Sequence, residues 1–168
     1  DVVGLDQSHV VQGWDVLRGK VQTGKRVALI SQEDYYETPC IAEYLAAQGK
    51  EVTVFHKSVQ LGFEIARYSV GMVLKRMEEF NVTVKLNLVL SKVDGKTIEL
   101  SSAWGGKTYR EEGFDSVVLV YGSVAQCDLY DQLKAENSIA QLYLAGAAWL
   151  PRHMSESTRH GANIGLAI

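Results

Sequence analysis

The sequence predicts an α/β fold with a parallel β-sheet, and three consecutive segments carry this prediction. Residues 25–30 form a short apolar run, which is typical of a strand buried on both faces. The pair Thr38-Pro39 indicates a helix start, because Thr can cap the first turn and Pro suits its first position, and Gly49 ends this helix. Residues 51–55 form a second strand. Strand, helix and strand in this order make a βαβ unit, which opens a parallel sheet.

Apolar periodicity and turn residues divide the rest of the chain. Residues 1–24 are expected to be a lead-in strap that contains a short helix within 8–19. An antiparallel β-meander, with its strongest hairpin signal at Asp94-Gly95, stands where a crossover helix would be expected. The other predicted elements are, in chain order, a helix over 63–80, a strand over 81–88, a turn at Gly105-Gly106, a strand over 114–121, a helix over 129–135, a strand over 142–146 and a closing helix over 157–168.

The composition excludes several classes of protein. The 168 residues are 46% hydrophobic and 22% charged, which is ordinary for one α/β domain able to bury a core without a disulfide or a metal. The net charge of −3 argues against binding to nucleic acid, which needs a basic surface. No apolar run reaches the roughly 18 residues that a membrane span requires. A cytoplasmic location without membrane contact is therefore expected.

The cysteines and histidines predict no metal site. Cys40 and Cys127 are far apart and form no CxxC pair, and the four histidines share no ligand spacing with cysteines or carboxylates. Cys40 lies in the predicted first helical turn, where the pKa of a thiol can be lowered, but packing is the favoured interpretation. We predict no catalytic residue in this chain.

The turn after the first strand is where a dinucleotide-binding domain carries G-x-G-x-x-G, whose glycines let backbone N–H groups reach a pyrophosphate. Residues 31–38 contain no glycine, and they place Glu33, Asp34 and Glu37 where a phosphate would lie. The helix end carries only about half a positive charge. Each repulsion across about 4 Å near a surface costs about 4 kcal/mol before screening. We therefore expect the acidic side chains to occupy the anion site themselves.

The ends of the other predicted strands supply weaker candidates for cofactor binding. At the end of the second strand, where a ribose-binding acid is often found, the sequence has His56 and Lys57. Lys57 suits a 2′-phosphate, although a solvated lysine is the favoured interpretation. Arg152 follows the last predicted strand and is the best single anion-binding candidate, and Gly122 ends the strand over 114–121. The full candidate set in this vestigial loop and at these strand ends is Ser31, Gln32, Glu33, His56, Lys57, Gly122, Gly146 and Arg152.

We expect the chain to be a fragment of a longer protein. It starts at Asp1 without a methionine, and its predicted closing helix runs to Ile168 without a stop signal or a polar tail. The predicted division is a strap at 1–24, a nucleotide-fold domain at 25–138, and a last strand with a truncated helix at 139–168.

The order of these segments, with FDSVVLVYG at 114–122 and LYLAGAAWLPR at 142–152, resembles the C-terminal region of multidomain NADH:flavin oxidoreductases. These are the relatives of trimethylamine dehydrogenase, histamine dehydrogenase and 2,4-dienoyl-CoA reductase. The resemblance implies a Rossmann-like, three-layer nucleotide-binding fold. It also implies that 25–138 is the NAD(P)-like domain and that 139–168 returns to an FAD-like domain. An old-yellow-enzyme-type barrel upstream would carry FMN and a 4Fe-4S cluster.

The resemblance implies further cofactors and partners of the parent enzyme. FAD or ADP and NAD(P)H are left open, and this fragment is not expected to hold any cofactor itself. Gly146 keeps a close backbone approach, but Ala147 stands where the family usually has an Asp that bonds the flavin. The partners would be the FAD-like domain, the flavin barrel and, in an oligomer, a second copy.

The sequence leaves three hypotheses for the function of the chain. In the favoured hypothesis, the chain is a non-catalytic structural domain of a flavin-dependent amine dehydrogenase or demethylase. In the second, it is a working NAD(P)H domain that delivers hydride to flavin, as in dienoyl-CoA-reductase-like enzymes. In the third, it is a regulatory module that binds another ligand or a partner protein.

Overall fold

A computed structural model describes residues 2–137 and 139–168, which form two compact units, one running to Tyr121 and the other from Gly122 to Ile168. The first unit contains the strands β1 (Val10–Gln12), β2 (Arg26–Ser31), β3 (Glu51–His56), β4 (Thr83–Lys85), β5 (Leu88–Asp94), β6 (Thr97–Ser102), β7 (Thr108–Glu112) and β8 (Ser116–Val120). Its helices are α1 (Gly13–Leu17), α2 (Glu37–Ala47) and α3 (Arg67–Glu79).

Five of the strands form a parallel sheet in the order β1-β8-β2-β3-β4. β2 and β8 lie at its centre, and every residue of both except Arg26 is buried. Such continuous apolar burial is expected of parallel strands that are covered on both faces. The remaining strands, β5, β6 and β7, form a separate antiparallel sheet, the predicted meander.

The two faces of the parallel sheet are covered differently. Val27 and Leu29 of β2 pack on one face with α2 and with Met77 of α3. Ala28 and Ile30 point to the opposite face and pack against the meander. The meander contributes four buried side chains to this second core, Leu90, Val93, Ile98 and Leu100. Helices, parallel sheet and meander are three layers, and they confirm the predicted α/β fold, in which the meander replaces one crossover helix, the one between β4 and β8.

Asp115 connects the beginning of β2 to the turn between β5 and β6. Its carboxylate accepts hydrogen bonds from the backbone N–H of Lys25 and Arg26, at 3.1 and 2.9 Å. The Nζ of Lys96 donates to its other oxygen at 2.7 Å. The hydrogen bond from Lys96, followed by that from the Arg26 backbone, lowers the pKa of Asp115 to about 2.

Several sequence-based boundaries were wrong. The short helix predicted within 8–19 is present as α1, but the lead-in also contains β1, which was not predicted and whose residues pair with Val117, Val118 and Leu119 of β8. A three-residue strand is too short to show a period in sequence. Similarly, α3 begins at Arg67 and not at residue 63, and β4 covers only three of the residues over 81–88.

The unit from Gly122 contains two helices, α4 (Asp128–Glu136) and α5 (Met154–Gly165), and a short 3-10 helix at Gly146–Ala148. The strand predicted over 142–146 does not form, because no strand pairs with it among the described residues. Within 122–137 and 139–168, no residue is buried. Several large apolar side chains of this unit are exposed, including Val124, Leu129, Trp149, Met154, Leu166 and Ile168.

None of the helices in the described parts of the chain has both the length and the hydropathy needed to cross a membrane.

Candidate functional site

The candidate site is the turn between β2 and α2, at the carboxyl end of the parallel sheet, where ligands bind in open α/β sheets. The backbone N–H of Gln32 donates to the carbonyl of Val120 at 2.9 Å, which attaches the turn to the end of β8. Tyr36 precedes α2 and makes no side-chain cap. The free N–H groups at the start of α2 must therefore find another acceptor.

Glu33 supplies that acceptor from within the turn. One oxygen of its carboxylate accepts the backbone N–H of Thr38 at 2.6 Å, and the other accepts the backbone N–H of Tyr35 at 2.7 Å. Charge-assisted bonds of this length are the interactions that a bound anion makes at a helix N-terminus. The carboxylate of Glu33 therefore already accepts the two backbone N–H groups that a bound anion would use here.

A second group of polar side chains lies behind this carboxylate. His56, fully buried at the end of β3, has its Nε2 2.9 Å from Oδ1 of Asp34 and 3.1 Å from the carbonyl oxygen of Gln60. Its Nδ1 is 2.9 Å from the Oγ of Ser31, which in turn is 2.7 Å from the Oγ1 of Thr38. Because both neighbours of Nε2 are acceptors, Nε2 carries a proton. The Oγ of Ser31 also lies 3.3 Å from the carbonyl oxygen of Glu33, to which it can donate, so its single proton has both this carbonyl and Nδ1 of His56 within reach.

A serine, a histidine and an aspartate in hydrogen-bonded sequence also occur in nucleophilic hydrolases, but this group does not fit that chemistry. Ser31 is 1% exposed, and His56 and Thr38 are fully buried. A substrate carbonyl therefore cannot approach the Ser31 hydroxyl, which a nucleophilic mechanism requires. The group instead holds the turn 32–36 against the ends of β2 and β3.

Like charges crowd the start of α2. Burial, and then the neighbouring carboxylate of Glu33, raise the pKa of Glu37. Cys40 is exposed rather than packed, and partial desolvation of its thiol, followed by Glu43 and Glu33, raises its pKa. Both sequence-based interpretations of Cys40, a packed side chain and a lowered pKa, were therefore wrong. The electrostatic potential at this end of α2 is therefore negative.

The predicted cofactor-binding residues fall in both units. Ser31, Gln32, Glu33, His56 and Lys57 lie together at the ends of β2 and β3, where the backbone N–H of Lys57 donates to the carbonyl of Ser31 at 3.3 Å. Sequence reasoning missed the pairing of His56 with Asp34. The available signal was a histidine closing a buried strand beside an acidic turn.

The remaining candidates, Gly122, Gly146 and Arg152, belong to the second unit. The backbone N–H of Gly146 donates to Nδ1 of His160 at 3.3 Å, and the ring of His160 lies 4.4 Å from that of Trp149. Arg152 is exposed. In the described residues, no three His, Cys, Asp or Glu side chains are grouped to hold a metal ion.

The residues at the turn do not fit the pyrophosphate of a dinucleotide. The N–H groups of Tyr35 and Thr38 that would receive it are already bonded to Glu33. Asp34 is bonded to His56, so two carboxylates are fixed beside the position of the phosphates. With no glycine in the turn, side chains also fill the space that the backbone approach needs.

Comparisons with known proteins agree with this architecture. The profile of the family described as "OYE-like second alpha/beta domain" matches residues 11–120. The chain is 29% identical to a dimethylamine dehydrogenase of Hyphomicrobium sp. (strain x), over 99% of this chain and 26% of the relative. It thus spans about a quarter of that curated relative's length.

Two solved structures are also similar. A 2-naphthoyl-CoA reductase in complex with 2-naphthoyl-CoA is 27% identical, with a TM-score of 0.81, over 100% of this chain and 25% of that one. A 6-hydroxypseudooxynicotine amine oxidase from Pseudomonas geniculata N1 has the same fold, with a TM-score of 0.86 and 22% identity, over 98% of this chain and 25% of that one.

Proposed function

Because the chain belongs to the family of OYE-like second alpha/beta domains, we propose that it is a non-catalytic structural domain of a longer flavin-dependent oxidoreductase. The parent enzyme would oxidise an amine or a similar small substrate, as the name of the dimethylamine dehydrogenase relative suggests for that protein. The nucleotide fold is kept in this domain, while its dinucleotide site is lost.

The observation that carries this proposal is the carboxylate of Glu33 at the start of α2. A diphosphate would have to displace it from the N–H groups of Tyr35 and Thr38. It would also have to approach Asp34, which is held in place by a buried histidine. An incoming anion would gain contacts that the chain already makes for itself, and it would lie beside like charges.

The domain's role would be to support its neighbours in the parent chain. The unit from Gly122 has exposed apolar side chains and no buried residue in its described parts, so we propose that it completes an adjoining FAD-like domain. Residues 142–146 would gain a partner strand there. Ala147 provides no carboxylate for a flavin, so the adjoining domain's hold on FAD or ADP would lack that contact.

The redox groups of the parent would lie outside this chain. FMN and a 4Fe-4S cluster, held by a barrel domain, would accept and pass on the substrate's electrons. The residues of this chain would contribute packing, and contacts between copies if the parent is an oligomer.

A second candidate function is favoured by the likeness to the 2-naphthoyl-CoA reductase. In that case the domain would bind NAD(P)H for hydride delivery to flavin, with Lys57 or Arg152 contacting phosphate. This function requires Glu33 to leave the start of α2 when the cofactor arrives.

Calorimetric titration of the chain with NADH, NADPH and ADP separates these functions. We expect no saturable heat from the reduced nicotinamides, because the amide donors are already bonded. A Kd in the micromolar range for NADH or NADPH would overturn the structural role and establish the second candidate. Tight binding of ADP alone, or of another ligand alone, would indicate a regulatory module instead.

The variant Glu33→Gly tests whether the internal carboxylate is the cause. Its removal frees the two N–H groups, and we expect inorganic pyrophosphate to bind with a Kd on the order of 1 mM, equivalent to about −4 kcal/mol. Glu79→Gln is the matched control, because Glu79 is exposed on α3 and pairs only with Lys75 in the described structure. If Glu33→Gly and the control both fail to bind pyrophosphate, the carboxylate is not what excludes the anion.

A further inference from the structure

An exposed apolar patch lies beside the occupied turn, at the carboxyl end of the sheet. It consists of Val59, Phe63, Leu86 and Trp104, which are 60%, 71%, 36% and 75% exposed. Val59 and Phe63 follow β3, Leu86 follows β4, and Trp104 follows β6. We call these four residues the carboxyl-end patch.

Backbone hydrogen bonds hold the three segments of the patch side by side. The N–H of Asn87 donates to the carbonyl of Ser58 at 3.2 Å, and the N–H of Ala103 donates to the carbonyl of Asn87 at 2.9 Å. On the other side, the N–H of Glu64 donates to the carbonyl of Asp34 at 2.9 Å. The patch is therefore continuous in backbone with the turn that Glu33 occupies.

The exposure of these side chains is not a consequence of loose structure. Leu61 and Ile65, which alternate with Val59 and Phe63, are 3% and 4% exposed and anchor the segment in the core. The backbone N–H of Ile65 donates to the carbonyl of Gly62 at 3.0 Å, which closes a turn between the anchors. The fold thus presents Val59 and Phe63 outward on a fixed support.

We propose that the carboxyl-end patch is the docking surface for an apolar face of another domain of the same polypeptide. This inference rests on the proposed function, because it needs the remainder of a longer chain. The dimethylamine dehydrogenase relative has about three quarters of its length outside the matched region, since this chain covers 26% of it. Large apolar side chains exposed on neighbouring segments at one edge of a fold are a common feature of interaction sites.

The size of the patch favours a tethered domain over a second copy. Whole aromatic side chains bury 150–250 Å² each, so the four exposed portions amount to roughly 400 Å². A stable contact between separate molecules buries about 800 Å² on each partner. A domain on the same chain needs less, because its effective concentration is on the order of millimolar.

Hydroxyl-radical footprinting of the full-length polypeptide and of the 168-residue chain tests the proposal on the unmodified sequence. Docking should slow the oxidation of Phe63 and Trp104 in the full-length protein about fivefold, as their exposure falls to that of an interface core. Tyr68, 91% exposed on α3 and outside the patch, is the control and should oxidise at the same rate in both. Equal rates for Phe63 and Trp104 in the two proteins, or equal slowing of Tyr68, would overturn the proposal.

The same measurement over a dilution series identifies the occupant. Protection that persists on dilution is the expected result for a domain of the same chain, whereas protection lost on dilution would show a second copy and overturn the proposal. Footprinting is done without nucleotide. The outcome is therefore independent of the titration that tests the structural role.

A double variant, Phe63→Ser with Trp104→Ser, provides a second readout in the full-length protein. We expect hydroxyl radicals to oxidise Leu86 as fast as in the 168-residue chain, because the docked domain would dissociate from the patch. Tyr68→Ser is the matched control and should leave Leu86 protected. If Leu86 stays protected in the double variant, the two aromatic side chains do not support docking.

Discussion

The unit that runs to Tyr121 and the unit from Gly122 to Ile168 both contain large apolar side chains, but only the first buries them. In the first unit, both faces of the parallel sheet are covered, one by helices and the other by the meander. In the second, α4 and α5 have no buried residue in their described parts. The first unit has the buried core expected of an independent domain, while none of the described residues of the second unit is buried. A compact set of residues is therefore not necessarily a unit that folds by itself, since that also requires a hydrophobic core.

The same truncation of a leucine is expected to have very different effects on stability in the two units. Leu29→Ala removes a fully buried side chain from β2 and should lower the free energy of unfolding by about 2–5 kcal/mol. Leu129→Ala removes a side chain that is 68% exposed on α4 and should change it by less than about 0.5 kcal/mol. Urea unfolding followed by circular dichroism measures both.

A loss in Leu129→Ala as large as that in Leu29→Ala would show that the second unit has a core of its own. In the full-length polypeptide, we expect Leu129→Ala to become destabilising, since an adjoining domain would then cover that side chain.

A second pair compares buried and surface histidines. His56→Ala leaves a cavity and removes the partner of Asp34 and of Ser31, so it should cost about 2–4 kcal/mol. His160→Ala removes a ring contact with Trp149 and one backbone hydrogen bond, and should cost less than about 1 kcal/mol. Urea midpoints at neutral pH measure the two costs. Equal costs would mean that the polar group behind the turn does not stabilise the first unit.

The smallest expected effect concerns acid stability. Since Asp115 has its pKa lowered to about 2, it stabilises the fold above its ordinary pKa of 3.8, and this contribution is lost as the pH falls towards 2. Asp115→Asn should therefore lower the urea midpoint at pH 7, and the difference from the wild type should shrink progressively below pH 4.

Glu156→Gln is the control for this acid-range measurement. The hydroxyl of Ser155 lowers the pKa of Glu156 on α5, yet we expect no shift of the main unfolding transition, because the second unit contributes no core. A constant difference between Asp115→Asn and the wild type from pH 7 to pH 2 would contradict the assigned role of Asp115.

The parts of the fold with strong local signals were predictable from sequence. β2, α2, β3 and β8 were found because their apolar runs agree with their tertiary positions, although α2 begins at Glu37 and Thr38 lies inside its first turn without capping it. β1 was missed because three residues carry no period and their strand state depends on pairing with β8, which is distant in sequence. The prediction of a strand over 142–146 was wrong for a related reason. A strand needs a neighbouring strand to pair with, and none of the described strands pairs with these residues.

The negative charge of the candidate site was predictable from sequence, but the positions of its hydrogen bonds were not. Charge and the absence of glycine were enough to predict that an acid occupies the anion position. Sequence did not identify which acid does so, because the choice between Glu33 and its neighbours depends on the positions of two backbone N–H groups. The contact of Asp34 with His56 joins residues on two adjacent strand ends, which only the register of β2 with β3 brings together.

The hydrogen bonds that link Ser31, Asp34 and His56 limit which substitutions the turn of this chain can accept. Restoring a cofactor loop would require glycines in the turn, yet replacing Ser31 would remove the side-chain partner of Nδ1 of His56, and replacing Asp34 would leave Nε2 with only the Gln60 carbonyl. Single steps back towards nucleotide binding would thus pass through less stable proteins before any affinity returned. The hydrogen bonds of Ser31, Asp34 and His56 would therefore oppose the introduction of a glycine-rich turn at this position.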